Sequence, residues 1–305
     1  MFDECRRKWF NRYRYLAFDP VTARKLRSEG LLLPFSALAG KIVDDTLKDA
    51  FREFKERREW KIDLLSHSRE LLEEHINESI AWVAAAKNDD VPVDRWPRVS
   101  QPIDRIYFGE PITSGEWAAV TGRIETCLQN FLDSDLREFF MEYDLRGWLC
   151  PKRKSRAGRA PVWFRFNGVP IYASYDFMIR TPDQTLIVDW KTGDPSRGSA
   201  KAVRQLHWYA LYVIEEFGVP VEQILLLPCW LSVGPMKFRD FTEPVQPAIL
   251  DEVRGEWKAR LEFFDQFVRP FRFKEAESLP FFPLTADLQR CRSCQFRTCD
   301  GFRRI

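Results

Sequence analysis

Residues 185–193 read TLIVDWKTG, and they place a carboxylate and an ammonium group two positions apart at the end of an apolar run. The run predicts a strand, in which residues i and i+2 point to the same face of a sheet. Asp189 and Lys191 would then lie side by side, where they could hold a divalent cation and neutralise a phosphate. A structural ion pair is the alternative interpretation of these two residues.

The acidic-x-Lys pattern by itself is common in this chain. It occurs three more times, at Glu53/Lys55, Glu59/Lys61 and Glu256/Lys258. All three copies lie in predicted helices, where positions i and i+2 do not share a face. The pattern at Asp189 stands apart because it follows a strand-like run and precedes the turn residues Thr192 and Gly193.

The residues around this stretch alternate between strand-like and helix-like patterns. The predicted strands are VWFRF (162–166), GVPIYASYDFMI (168–179), TLIVDW (185–190) and QILLLPCWL (223–231), with a hairpin turn at Asn167-Gly168. The predicted helices are 4–16, a helix capped by Ser36 that runs to Trp60, 64–86, 117–143, 200–217 and 246–268. Strands and helices mix around one sheet, which predicts an α/β or α+β class.

Two further features support a site near Asp189. Asp176 lies inside the apolar run IYASYDFMI, and a buried carboxylate needs a partner, which a metal shared with Asp189 would supply. A solvent-facing Asp at a strand end is the alternative. Downstream, Gln205 and Tyr209 are four residues apart on a predicted helix and so share a face, from which they could orient a phosphate or the carboxylates.

These motifs resemble those of a known family. Their order is Asp176, then DWKTG at 189–193, then Gln205-x-x-x-Tyr209. This order resembles the RecB-like branch of the PD-(D/E)XK nuclease superfamily, strongly over 165–215 and weakly elsewhere. The resemblance implies a restriction-endonuclease-like α/β core, with a mixed central sheet flanked by helices and an N-terminal helical insertion. It also implies that Asp176, Asp189 and Lys191 carry the chemistry, with Gln205 and Tyr209 in the same catalytic set.

The family's first motif differs here. Similar proteins have G-x-x-x-H on an early helix, whereas this chain has Gly40-Lys41-Ile42-Val43-Asp44. An Asp can also bind Mg²⁺ or Mn²⁺. The resemblance therefore implies metal ligands at Asp44, Asp176 and Asp189, with the Trp190 carbonyl as an extra ligand. It leaves exonuclease and endonuclease activity both open.

The cysteines near the C-terminus are spaced as ligands. Cys291, Cys294 and Cys299 give three sulfurs within nine positions, and a tetrahedral site needs a fourth. The chain resembles RecB-like exonucleases with an iron–sulfur cluster, including CRISPR-associated ones, which implies that Cys5 is that fourth ligand. A 4Fe-4S cluster would then join residues 1–33 and 270–305 as a clasp. Zinc is the alternative metal. The other three cysteines, Cys127, Cys150 and Cys229, are expected to be plain thiols.

The domain organisation follows from these assignments. We expect one nuclease domain over 1–305, with a helical part at 34–145 and the nuclease core at 146–269. No apolar run approaches the 18 residues of a membrane span, and the N-terminus lacks the apolar segment of a secretory signal. We therefore expect a cytoplasmic protein with no membrane role.

The net charge of +2 hides an uneven distribution. Three segments, 1–14, 151–159 and 290–305, together carry 15 basic and three acidic residues. Concentrated basic segments are typical of polyanion binders, although a solvated loop is the alternative for each.

These observations lead to one functional prediction and two alternatives. The prediction is a metal-dependent nuclease that acts on single-stranded DNA or DNA ends, in repair, recombination or CRISPR-type processing, beside a helicase or CRISPR integrase. The first alternative is a weakly active or inactive DNA-end-binding scaffold subunit. The second is a protein with a zinc-binding tail and a coincidental Asp-x-Lys pair.

Overall fold

The computed structural model describes most of the chain between residues 20 and 263. The described residues are 20–88, 90–92, 95–97, 101–150, 162–166, 169–234, 237–263, and Cys291, Cys294, Phe296, Arg297 and Cys299. The predicted helix at 4–16, Cys5 and the basic segments 1–14 and 151–159 lie outside them. The described parts form two compact units, one within 1–35, 75–111 and 259–305, the other within 36–74 and 112–258.

Among the described residues, six α-helices precede the strands. In chain order the first elements are the helices α1 (Pro20–Leu31), α2 (Leu38–Arg57), α3 (Leu64–Lys87), α4 (Asp104–Phe108), α5 (Ser114–Leu132) and α6 (Leu136–Met141). The elements that follow are β1 (Trp148–Leu149), β2 (Val162–Phe166), β3 (Val169–Ala173), β4 (Phe177–Arg180), β5 (Thr185–Lys191), α7 (Pro195–Phe217), β6 (Ile224–Trp230), β7 (Glu243–Pro244) and α8 (Pro247–Phe263). No helix among the described residues is long and apolar enough to cross a membrane.

The second unit is built on a mixed five-stranded sheet. Its strand order is β1-β4-β5-β6-β7. β5 and β6 run parallel, joined by the crossover helix α7, whereas every other neighbouring pair is antiparallel. The α/β class with a mixed sheet flanked by helices, predicted from the sequence, is confirmed.

The predicted strand over 168–179 is wrong in one respect, because the structure divides it. β3 ends at Ala173 and pairs with β2 in a separate two-stranded sheet, whereas β4 begins at Phe177 and joins the main sheet. Between them, the carboxylate of Asp176 accepts a hydrogen bond from the backbone N–H of Trp190 at 2.9 Å. Asp176 therefore lies in the bend before β4, not within a strand as expected.

Several helix ends also differ from prediction. α7 begins at Pro195 rather than near 200, because Asp194 accepts a hydrogen bond from the Ser196 N–H and proline is well suited to the first helical turn. α2 begins at Leu38 after Ala37, so Ser36 is not its cap.

The helix predicted over 117–143 is two helices. Thr113 and Glu116 form a capping box that starts α5 at Ser114. The segment 133–135 then separates α5 from α6.

An aromatic core holds α2 against the sheet. Phe51 of α2 stacks on Phe177 of β4 at a centroid distance of 4.7 Å and on Trp190 of β5 at 5.8 Å. Trp148 of β1 packs edge-on against Phe51 at 5.7 Å. All of these rings are buried. Their contacts hold α2 in position over the adjacent ends of β4 and β5.

The first unit has its own small core. Trp82 and Val83 of α3 pack with Leu32 and Trp96 in an apolar cluster. The Arg24 guanidinium donates to the carbonyls of 85, 86, 88 and 91, which satisfies backbone acceptors at the end of α3.

Candidate active site

The C-terminal end of β5 carries a buried carboxylate next to an ammonium group. Asp189 is 1 % exposed, and its Oδ2 forms an ion pair with the Lys191 Nζ. Trp190, between them, faces the other side of the sheet and stacks on Phe51. This alternation is the period of two that a strand imposes, and it turns Asp189 and Lys191 to the face covered by α7.

Helix α7 holds the Lys191 side chain in place. The Lys191 Nζ donates to Gln205 Oε1 at 2.9 Å, and Gln205 Nε2 donates to the Tyr209 hydroxyl at 2.7 Å. The Tyr209 hydroxyl donates in turn to the carbonyl of Ser174. One hydrogen-bonded chain therefore runs from Lys191 through α7 to the segment that precedes Asp176.

Asp176 lies directly against Asp189. Its Oδ2 accepts the Trp190 N–H, and the charge of Asp189 acts on its carboxyl group. Two ionised carboxylates so close together repel each other, which favours the protonated form of each group. The bend before β4 thus brings a second carboxyl group next to Asp189, and carboxylate oxygens are donors that Mg²⁺ and Mn²⁺ prefer.

Asp44 reaches the same place from α2. Gly40, Asp44, Lys48 and Phe51 follow the i, i+4, i+8 and i+11 spacing of one helix face. At Gly40 a Cβ atom would lie 3.0 Å from the Thr192 Oγ1, so glycine allows α2 to approach the end of β5 closely. Asp44 follows one turn later on that face.

Lys48 is a further residue of this cluster, and the sequence motifs do not indicate it. Its Nζ lies 2.5 Å from Asp44 Oδ2 and 3.7 Å from Asp176 Oδ1, so it bridges two carboxylates. Its side chain is only 11 % exposed. In the sequence, only its position four residues after Asp44 indicates that Lys48 shares a helix face with that carboxylate.

Burial and mutual repulsion raise the pKa of all three carboxyl groups. Burial, followed by the charge of Asp176, raises the pKa of Asp44 to about 7, although Lys48 opposes the shift. Burial, followed by the charge of Asp189, raises the pKa of Asp176 to about 7. Burial also raises the pKa of Asp189, with Lys191 acting in the opposite direction. Without a bound cation, these three carboxyl groups therefore bind protons more readily than ordinary aspartates do.

Carboxylate oxygens are the donors that a divalent cation such as Mg²⁺ prefers, so the chemistry of these side chains suits one. Asp44 Oδ1 is buried and has no hydrogen-bond partner among the described residues, and Asp176 and Asp189 offer carboxylate oxygens beside it. Within the described ranges, no three or more Asp, Glu, His or Cys side chains are already arranged as a metal site. In this arrangement the Lys48 ammonium stands between Asp44 and Asp176.

Two backbone hydrogen bonds between residues three positions apart involve the late cysteines. The Cys294 N–H donates to the Cys291 carbonyl at 3.1 Å, and the Cys299 N–H donates to the Phe296 carbonyl at 3.2 Å. Phe296 and Cys291 are buried. Cys5 lies outside the described residues, so its meeting with these three stays a prediction.

Comparison with protein-family models gives one match. Residues 1–299 match the model described as the PD-(D/E)XK nuclease superfamily. Neither the curated proteins nor the solved structures give a match.

Proposed function

The chain belongs to the PD-(D/E)XK nuclease superfamily, and from that membership we propose that it cleaves DNA phosphodiester bonds with the help of Mg²⁺ or Mn²⁺. The observation that carries this proposal is that the Asp176 and Asp189 carboxyl groups lie close enough for their charges to interact, with the Lys191 ammonium in an ion pair with Asp189. A carboxylate pair beside a fixed ammonium group is suited to metal-assisted hydrolysis.

Each residue has a distinct role in the proposed reaction. Asp44, Asp176 and Asp189 would hold the cation, and the Trp190 carbonyl remains a predicted extra ligand. The cation would polarise the phosphate and lower the pKa of the attacking water. Lys191 stabilises the charge that develops on the phosphate. Gln205 keeps the Lys191 ammonium beside Asp189, since it accepts one of its hydrogen bonds.

We further propose single-stranded DNA or DNA ends as the substrate. The support is the charge of the segments 1–14, 151–159 and 290–305, because ammonium and guanidinium groups bind the phosphate backbone without regard to sequence. A role in repair, recombination or CRISPR-type processing, beside a helicase or integrase, accords with such a substrate. The RecB-like subtype rests on the motif order alone.

A second cofactor completes the proposal. Cys291, Cys294 and Cys299, with Cys5, would hold a 4Fe-4S cluster, and the hydrogen bonds from Cys294 to Cys291 and from Cys299 to Phe296 support this by keeping these cysteines in a short stretch of chain. Purified protein should be brown and contain iron and acid-labile sulfide, and Cys294→Ser should remove both. Colourless protein with about one equivalent of zinc would instead establish the zinc alternative.

The nuclease proposal is tested with end-labelled single-stranded and duplex DNA in the presence of Mn²⁺. Lys191→Met should reduce cleavage by at least about a hundredfold, because it removes an ammonium group from the reacting phosphate. Lys201→Met is the matched control, since Lys201 is exposed on α7 and should tolerate the change. Binding without cleavage by the unmodified protein would favour the scaffold alternative. Equal cleavage by Lys191→Met and the control would overturn the assigned role.

A further inference from the structure

Lys48 occupies an unusual position for a lysine on a charged helix. Its ammonium group lies within ion-pair distance of Asp44 and Asp176 at the same time, and its side chain is largely buried. An exposed lysine of an i, i+4 pair would contact only the carboxylate on its own helix. Lys48 instead joins α2 to the bend before β4.

The charges around this position are nearly balanced. Asp44, Asp176 and Asp189 face the ammonium groups of Lys48 and Lys191, so one net negative charge remains when all five groups are ionised. One divalent cation would reverse that charge to one positive, which matches the single negative charge of a phosphodiester. Two divalent cations would leave three positive charges in a partly buried site, where repulsion between like charges is strong.

We propose that Lys48 takes the place of a second metal ion, so that the carboxylate cluster binds a single divalent cation. This inference rests on the proposed metal-dependent function and adds its stoichiometry. Lys48 would neutralise Asp44 Oδ2 and Asp176 Oδ1, while the buried Asp44 Oδ1 and the Asp189 carboxylate remain for the one cation.

The test is a titration of metal-stripped protein with Mn²⁺, followed by electron paramagnetic resonance of the free ion. The unmodified protein should bind one Mn²⁺ in the cluster. Lys48→Met should bind a second Mn²⁺, or bind the first about tenfold more tightly or better, because a neighbouring positive charge is gone. Lys48→Arg keeps the charge and should bind one Mn²⁺ with nearly unchanged affinity.

Lys41→Met is the matched control for charge and helix position. Lys41 lies on the same helix, pairs with Asp45 four residues later and is 14 % exposed, so its loss removes an equal charge and leaves both ion pairs of Lys48 in place. Each variant is first checked for a cooperative thermal transition. If Lys48→Met destabilises the protein too far, Lys48→Gln, which keeps a hydrogen-bond donor, replaces it.

The outcomes separate this inference from the proposed function. Unmodified protein that binds one Mn²⁺, with no change of number or affinity in Lys48→Met, overturns only the role of Lys48. Two Mn²⁺ ions bound to the unmodified cluster overturn it as well. No Mn²⁺ binding by any variant, including Lys41→Met, overturns the proposed metal-dependent function itself.

Discussion

Cation binding at the carboxylate cluster should be strongly pH-dependent, because the cation must displace protons. The pKa of Asp44 is raised to about 7 by burial and by Asp176. With that value Asp44 is about one-tenth ionised at pH 6 and about nine-tenths ionised at pH 8. If the cation displaces one proton, the apparent Mn²⁺ affinity therefore rises about tenfold from pH 6 to pH 8. If it also displaces a proton from Asp176, the total rise is up to about a hundredfold.

The raised pKa of Asp44 also determines whether the stability of the metal-free protein rises or falls with pH. A carboxyl group whose pKa is higher in the folded than in the unfolded protein stabilises the fold fully below pH 3.8, and this stabilisation is lost as the pH rises through 7. The metal-free protein should thus melt at a lower temperature at pH 8 than at pH 6. Mn²⁺ should raise the melting temperature more at pH 8, where its affinity is greater.

The assay is a Mn²⁺ titration of metal-stripped protein at pH values from 6 to 8, with thermal melting in parallel. Asp44→Asn should reduce the slope of log affinity against pH, because one titrating ligand is lost. Asp183→Asn is the matched control, since Asp183 lies exposed in the turn between β4 and β5 and should leave the slope unchanged. A Mn²⁺ affinity that is constant from pH 6 to 8, or an unchanged slope in Asp44→Asn, would refute the reasoning.

Three other perturbations give distinct readouts. Phe51→Ala should lower the free energy of unfolding by about 3–5 kcal/mol in urea titrations because it empties the aromatic core, whereas Phe241→Ala, at a 45 % exposed position, should change it little. Gln205→Leu should lower kcat about tenfold or more with little change in KM, since it removes the hydrogen bond that holds Lys191; an unaltered kcat would contradict that positioning role. Neutralising the five basic residues of 151–159 should weaken single-stranded DNA binding and reduce the log–log salt slope by roughly 0.7 for each lost phosphate contact, and an identical slope would mark this segment as a solvated loop.

The parts of the fold that local patterns determine could be predicted from the sequence. The run of apolar residues predicts β5. Because successive side chains of a strand point to opposite faces, Asp189 and Trp190 are expected on opposite faces, where the structure places them. β6 and the helices α2 and α3 likewise follow from short-range periodicity.

Features that depend on contacts distant in sequence could not be predicted. The break between Ala173 and Phe177 interrupts a run with strong strand propensity, and it is stabilised by a hydrogen bond from Trp190, fourteen residues away from Asp176. Strand propensity gives no information about such a partner. The position of Lys48 could not be predicted for the same reason. A lysine on a charged helix is expected to face solvent unless the helix face that packs on the sheet is known.

The spacing along α2 links the chemistry of the site to the stability of the core. Asp44, Lys48 and Phe51 share one face, so any rotation of α2 that moves the carboxylate also withdraws the Phe51 ring from Phe177 and Trp190. Removing charged groups from water is unfavourable, whereas burying a large aromatic ring is favourable by a few kcal/mol. The aromatic contacts therefore hold Asp44 in an environment that it would not occupy by itself, and the raised pKa of Asp44 is the measurable consequence of that constraint.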